Sequence, residues 1–548
     1  MYHTFTKNLA LILPATALIA CGGGSGSSNS DDNTGDSAPD NTTPATLYSV
    51  GGTVTGAVNQ GLILENSGGD TLEVTDENFA FSTKLTNGTS YDVAITAHPA
   101  EQLCSATNTT GTISDADVNN VEVHCRKWGT PTLAENSSGH AMYIAEAVAD
   151  SEGNILAPFT LDQSGYRNLY VNRFDASTGT WGTETSVENQ TGGHALDPAI
   201  AVHDNGDAIV VWSQFDGSLY NIFANYYTAS TDSWGTEELI ETTSTGHAFG
   251  PQIAIDNSGN AIAVWRHEDG SYYSTYANYY TASTQTWGTE EVIESANDGN
   301  AESQKIAIDS SGHAIAVWSQ ANSAYNDILV NEYTPGSGWG TAATIAVGNN
   351  GNGGARDPQL AFDSNDNAIV AWREWDGTNT SIYAIRYNAS TDSWGTEVLL
   401  ENGNDGNADN QKLAFDNDNN AIVVWLQSGP SVQKSVYANR YTASTDSWGT
   451  ETLIESNQES SASVPKIVVN AEGNALVVWN QDNSTNDNLL YFNRYIASSN
   501  SWQTEALVED SLDESDKHQL VMDSSGNATL VDARNDGTYL SVNAIRFK

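Results

Sequence analysis

A tryptophan returns at near-constant intervals through most of this chain. It stands at Trp128, Trp181, Trp234, Trp287, Trp339, Trp394, Trp448 and Trp502, at spacings of 53, 53, 53, 52, 55, 54 and 54 residues. The phrase around it is "ASTDSWGTE" three times, from Ala229, Ala389 and Ala443, with near-copies from Ala176 and Ala282. A period near fifty residues that carries several strands means a propeller or a similar array of stacked sheets. One period from Trp234 reads "WGTEELIE", "PQIAID", "AIAVWRH" and "STYANYY", four strand-like runs. Between the second and third runs, "DNSGN" places Gly259 where a tight hairpin needs a positive φ. The runs "QIAID" and "AIAVW" are apolar on both faces, as a strand must be when its sheet is packed between two others.

The hairpin occurs eight times, starting at residues 150, 203, 256, 309, 363, 416, 470 and 523, so the repeat predicts eight blades. The array begins with a lone "WGTPTLAE" at Trp128 and ends at "NAIRFK" with no outer strand. The strand at Trp128 is therefore expected to complete the last blade and close the ring, removing open edges. An open superhelix is the alternative. A second tryptophan ends the "AVW"-type run at 212, 265, 318, 372, 425 and 479. Recurrence at fixed repeat positions assigns these rings to packing rather than to a sugar-stacking surface. The expected fold is all-β: an eight-bladed β-propeller over 127–548, closed by its N-terminal outer strand and preceded by a small β-sandwich.

Composition agrees and narrows the partners. Asn, Ser, Thr and Gly are abundant and Met is nearly absent, which suits strands and turns. Asp and Glu number 69 against 20 Lys and Arg, a net charge of −49. That charge repels phosphate backbones and excludes a nucleic-acid partner. It attracts cations, calcium first, although acidity that merely keeps a surface protein soluble explains the same numbers. The turns "DNDNNA" from Asp416 and "DSNDNA" from Asp363 are oxygen-rich, but they lack the downstream Glu and central Gly of an EF-hand loop.

The N-terminus reads as an export signal. Lys7 precedes "NLALILPATALIA", too short to span a bilayer, and the run ends in "LIAC", Leu18 to Cys21. This resembles the bacterial lipobox over residues 1–21. The resemblance implies cleavage before Cys21, lipidation of that thiol, and a membrane partner held through the lipid anchor. Residue 22 is Gly, not Asp, which by the lipoprotein sorting pattern implies the outer membrane, facing the periplasm or the surface. Residues 22–46 form a Gly/Ser/Asp-rich tether. With Cys21 lipidated, Cys104 and Cys125 remain, and an exported chain makes a disulfide between them the expectation; a metal pair is the weaker alternative.

Residues 47–126 carry short strand-like runs, among them "YSVGGTVTG", "GLILEN", "TLEVTD", "YDVAITAHP" and "VEVHC", separated by "NSGGD" and "TNGTS" turns. They read as an antiparallel β-sandwich stapled near its C-terminal edge. The pattern resembles immunoglobulin-like modules of bacterial surface proteins, which implies a spacer or stalk.

Departures from the repeat mark candidate sites. The loops entering three successive blades carry "SGHA", "GGHA" and "TGHA", giving His140, His194 and His247 as candidate metal ligands. Asn300 and Asn407 replace them in later blades, which favours a hydrogen-bonded loop. The loops between second and third strands add Arg266, His267 and Glu268, and Arg373, Glu374 and Trp375, with Arg356 nearby. A group of Trp, Arg and acid suits a glycan, by stacking and forked hydrogen bonds. Solvated loops with internal ion pairs are the plain alternative.

The repeat "PQIAID-NSGNAIAVW…YANYYTAST-SWGTEELIE" resembles repeats of bacterial sialidase-like or BNR-like propellers across 128–548. The Asp-box is not matched, since Gly259 and Trp265 are six apart, and no arginine triad or tyrosine nucleophile pair accompanies it. The sialidase activity therefore does not carry over. Even repeats without a dominant inserted loop favour a surface-anchored, non-enzymatic protein binding a glycan or a surface protein. A polysaccharide lyase or glycoside hydrolase using the propeller face is the alternative.

Overall fold

The computed structural model describes residues 45–548 apart from short segments at 57–60, 68, 100–101, 138, 190–191, 244, 296–298, 323–324, 349–353, 403–405, 430–432, 457–459, 483–487, 509–513 and 536–537. Cys21, the export signal and all but the last two residues of the tether lie outside the described residues.

Eight sheets of propeller type form among the described residues, one per repeat. The third blade is typical. Its inner strand Ala248–Ile255 pairs with Ala261–Glu268, which pairs with Tyr273–Thr281, which pairs with a broken outer strand, Thr286–Trp287 and Glu291–Val292. All of these pairings are antiparallel. The second strand is the most deeply buried: Ala261, Ile262, Ala263, Val264 and Trp265 are inaccessible on both faces because neighbouring blades pack against each side. At the hairpin, Gly259 has φ +80°, and the Asp256 carboxylate accepts the N–H groups of Ser258 and Asn260.

The closure is as the sequence predicts. Thr132–Leu133 pairs with Leu540–Phe547, the third strand of the last blade, and completes the sheet Glu514–Met522, Ala528–Asn535, Leu540–Phe547. Lys127 and Lys548 exchange both backbone hydrogen bonds, at 3.0 and 3.1 Å, so the two ends of the propeller are paired to each other. Trp128 packs edge-on against Phe547 and Phe492 at 5.3 and 5.9 Å.

Contacts of the recurring phrase are structural. Ala389 N–H and Ala443 N–H donate to the hairpin side chains of Asn367 and Asn420, and Ala229 N–H to Asp207. Tyr227 and Tyr387 donate their hydroxyls to Asp232 and Asp392, which adopt φ of +48° and +49°. Asp tolerates that left-handed conformation, so the phrase turns the chain without glycine. Trp234 of the second blade then packs on Leu156 and Val171 of the first, and Trp287 on Ile209 and Ile222 of the second. The rings close the seams between blades.

Residues 47–126 form two four-stranded sheets and the short pair Leu47–Tyr48 with Leu85–Thr86, around one core that includes Val50, Leu62, Leu64, Val93, Val121 and Val123. The expectation of a wholly antiparallel sandwich is corrected at one pair. Val118–Arg126 runs parallel to Val50–Thr55, because the first and last long strands lie side by side in the same sheet. Cys104 and Cys125 sit directly opposite on adjacent strands and are disulfide-bonded. The sandwich meets the propeller on the hairpin side, where Arg126 donates to Asn527 Oδ1 and the Ser525 carbonyl, and Leu103 joins the core of the last two blades. The opposite face is clear of these contacts.

Candidate ligand-binding face

The inner strands decide what this opposite face presents. Each of six successive inner strands carries an extra residue, seen as a register shift between Leu196 and Ala199 and at the equivalent places through Ser463 and Lys466. The residue at the bulge has positive φ: Asp197, Gly250, Ser303, Asp357, Asn410 and Val464, between +48° and +62°. Gly, Asp and Asn adopt that conformation readily; a β-branched Val464 there is strained. The bulge re-aims the next residues. In consequence Ala199, Gln252, Lys305, Gln359, Lys412 and Lys466, with Glu146 from the first blade and Gln519 from the eighth, line a central cavity of about 320 Å³.

This cavity is electrostatically uneven. Three of the nine lysines in an otherwise acidic chain face it, against one carboxylate. Lys305 Nζ donates to Gln252 Oε1 at 3.0 Å, and Gln519 Nε2 to the Ile144 carbonyl at 3.0 Å. Burial, then Lys412 and Lys305, push the Lys466 ammonium down to about 7 against the pull of Glu146. Lys305 is lowered chiefly by burial. Burial would raise the Glu146 carboxyl, but Lys305, Lys466 and Lys412 together outweigh it and hold the group below its usual range. Glu146 is exposed to the channel and lines the same cavity as the three lysines.

Around the mouth, the second and third blades carry an aromatic cluster. Tyr220 lies 4.9 Å from Phe249 and 5.1 Å from Phe215, and Phe249 is 6.3 Å from Tyr273. The Arg266 guanidinium sits between two of these rings, 5.8 Å from Phe249 and 5.3 Å from Tyr273. Tyr143, Tyr166 and Tyr272 are 44%, 41% and 40% exposed at the same end.

The sequence-predicted residues divide. Arg266 faces this mouth, and Arg356 and Arg373 stand opposite each other on paired strands of the fifth blade. Arg373 Nε donates to Asp357 Oδ2 at 2.6 Å, and Arg356 reaches Asn326 Oδ1 at 3.4 Å. Glu268 and Trp375 are half-buried at the equivalent ends of their second strands. His267 and Glu374, expected to face a ligand, lie inside the core at 0% and 3% exposure. They occupy the place where other blades hold Gln214, Gln320, Gln427 and Gln481, two residues after the buried tryptophan. In those blades the indole N–H donates to the Gln carbonyl; Glu374 accepts the same bond from Trp372 at 3.0 Å.

His140, His194 and His247 are not brought together. Each Nδ1 accepts the backbone N–H of the preceding blade, from Leu540, Arg167 and Tyr220, at 3.3, 3.3 and 3.2 Å. Asn300 and Asn407 accept the equivalent bonds from Tyr273 and Thr380. The histidines are inter-blade staples, and among the described residues no group of three His, Cys, Asp or Glu could hold a metal ion. The Asp363 and Asp416 carboxylates accept hydrogen bonds from their own hairpins. The glycines before His194 and His247 are there for close approach: a Cβ on Gly193 or Gly246 would run into the carbonyl oxygen of Phe215 or Glu268.

Sequence reasoning missed the lysine ring and the aromatic cluster. The signal existed: "SQKIA", "NQKLA" and "VPKIV" put a lysine at the register where "PQIAI" has Gln252, 107 and 54 residues apart. Nothing in a linear pattern said that this register faces a channel.

No family model matches the chain, and no curated protein matches it. Several solved structures are similar to it at low identity. An ulvan lyase, a polysaccharide lyase bound to -[GlcA(1-4)Rha3S]-, is 9% identical over 76% of this chain and 95% of its own, with a TM-score of 0.44. The β-propeller domain of the Trilobed protease from Pyrococcus furiosus is 9% identical over 68% of this chain and 98% of its own, at 0.40. An α-L-arabinofuranosidase from Fusarium graminearum is 14% identical over 54% of this chain and 92% of its own, at 0.34.

Proposed function

We propose that this protein binds a polysaccharide on the propeller face opposite its sandwich, while the lipobox cysteine tethers it to the outer membrane. The observation that carries the reading is Arg266 held between Phe249 and Tyr273 in a cluster of half-buried and exposed rings. Aromatic faces offer sugars a stacking surface, and a guanidinium fixed by two rings keeps its fork free for hydroxyl or carboxylate oxygens. Arg356 and Arg373 extend the same rim into the fifth blade. The repeated contacts elsewhere are consumed in holding blades together, which leaves this rim as the place where the chain departs from its own scaffold.

The test is an array of neutral, uronic-acid and sulfated polysaccharides, followed by calorimetry on the ligand found. Arg266→Ala and Tyr273→Ala are expected to weaken binding about tenfold each, since one such contact is worth roughly 1.4 kcal/mol. Unchanged affinity in both variants overturns the reading. Product formation from the bound polysaccharide, as new reducing ends or unsaturated uronate, would replace a binding protein by a hydrolase or lyase.

A further inference from the structure

We infer that the central channel is an oxyanion site, in which Lys305, Lys412 and Lys466 converge on a sulfate, phosphate or carboxylate group. The register itself supplies the first argument. Positions equivalent to these lysines hold Gln252, Gln359 and Gln519 in other blades, and Ala199 in one, so the fold is satisfied there without charge. Three ammonium groups in one walled cavity cost desolvation and repel one another, and Glu146 compensates only one of them. A chain of net charge −49 that concentrates a third of its lysines in one such cavity holds a local surplus of positive charge where a ligand, not a surface, is the natural complement. The strained Val464, two residues before Lys466, belongs to the bulge that aims that lysine inward.

The cavity also suits the chemistry. Lys ammonium groups are point donors with three hydrogens each, and Gln252, Gln359 and Gln519 add amide donors and acceptors around the same volume. About 320 Å³ accommodates one tetrahedral oxyanion with its water, or the charged substituent of a larger molecule entering from the mouth. The site does not depend on the polysaccharide reading: the shared chemistry is an oxyanion, free in solution or carried as a sulfate ester or uronate on a glycan.

An anion here favours the charged form of Lys466 and Lys305, whose ammonium groups burial lowers, so binding takes up protons above neutrality and weakens as pH rises from 7 to 9. The groups facing Lys466 are Glu146, Lys305 and Lys412 across the cavity, with Tyr143 at the mouth. His518 on the next inner strand is buried and held neutral at about 3, and Asp357 acts on Lys305 from the fifth blade. None of these other groups is expected to reverse the sign.

The experiment uses the mature chain and inorganic sulfate and phosphate as probes, at constant ionic strength, with calorimetry and thermal unfolding. A triple Lys305→Gln, Lys412→Gln, Lys466→Gln variant places the fold's own alternative residue at each position. The expected result is a sulfate-dependent rise in Tm and proton uptake at pH 8 in the wild type. The triple variant should bind sulfate at least tenfold more weakly and, without sulfate, melt no lower than the wild type. Equal sulfate response in the two proteins, or none in either, overturns the inference. Sulfated and uronic-acid oligosaccharides are then titrated against bound sulfate. Competition that is lost in the triple variant supports a glycan-borne group, and sulfate binding without competition supports a free anion. Loss of oligosaccharide binding in Arg266→Ala with sulfate binding intact separates this site from the aromatic rim.

Discussion

Residue-scale exceptions show what the repeat demands. In the sixth blade, Trp425 donates to Gln427, and Gln427 Nε2 donates to the buried Glu401 at 2.7 Å. The third blade replaces this glutamine by His267. There the Trp265 indole N–H, both His267 ring nitrogens and both Glu241 oxygens make no hydrogen bond, with His267 Nδ1 3.8 Å from Glu241. Burial pushes the Glu241 carboxyl up to about 8 and lowers the His267 imidazole, so neither group is favoured in its charged form. His267→Gln restores the pattern of the other blades. It should stabilise the protein by about 1–2 kcal/mol, as buried donors and acceptors regain partners. Thermal unfolding measures this, and a lower Tm would reject the account. A sequence reader sees His267 as the unusual residue of a variable loop; its period-two place on a fully buried strand is what puts it in the core.

Among the elements, the outer strand at Trp128 has the most leverage. It is the joint where Thr132–Leu133 closes the last blade onto Leu540–Phe547, and Gly129 and Ala134 donate to the Arg546 and Val542 carbonyls. Trp128→Ala removes a half-buried ring from the Phe492–Phe547 cluster and should cost about 2 kcal/mol, below the figure for a fully buried tryptophan. The loss should expose the last blade first, so limited proteolysis between the seventh and eighth blades should accelerate before global unfolding. Cleavage spread evenly around the ring would argue against a closure joint. This element was legible in the sequence, because an array that starts with an orphan outer strand and ends without one leaves a single economical pairing.

The whole molecule has a pH dependence built from its blade repeat. The last glutamate of "WGTEELIE" and its counterparts Glu188, Glu401 and Glu455 are buried, and Glu188 and Glu401 accept the backbone N–H of Leu169 and Ile382 from the third strands of their own blades. Burial raises these carboxyls, Glu188 and Glu241 to about 8 and Glu401 and Glu455 to about 7. A carboxyl raised on folding binds more protons in the native state between its unfolded value and its folded one. Its contribution is therefore present at low pH and lost as pH rises from about 4.5 towards 8. Lys466, lowered on folding, works in the other sense and in a later window, adding stability as pH rises above about 7. Buried His98 and His518, lowered to about 4 and about 3, and His267, also lowered, oppose the glutamates below about 6.5, so stability should fall most clearly from about pH 6.5 to 7, where the histidines no longer titrate. Denaturant midpoints across that range test it, and replacing Glu188 and Glu401 by Gln should flatten the slope. A midpoint that climbs from about pH 6.5 to 7, or a slope left unchanged by the Gln replacements, would contradict the burial argument.

The amino-acid sequence by itself determined the blade count, the strand order within a blade, the closing partner of the last blade and the structural role of the recurring phrase. These follow from local pattern: period-two apolarity, turn chemistry and a fixed repeat length are properties of neighbours along the chain. Only the tertiary structure decided which repeat positions face the channel. Glu146, Lys305, Lys412 and Lys466 come from four different blades and meet because an inner-strand bulge turns one register inward and eightfold closure brings the equivalents to one axis. The same closure sends His267 and Glu374 inward while leaving Arg266 beside its aromatic rings. A charge surplus made by convergence has no footprint in any single stretch of sequence, since each stretch contributes one lysine in a strand that otherwise reads as core.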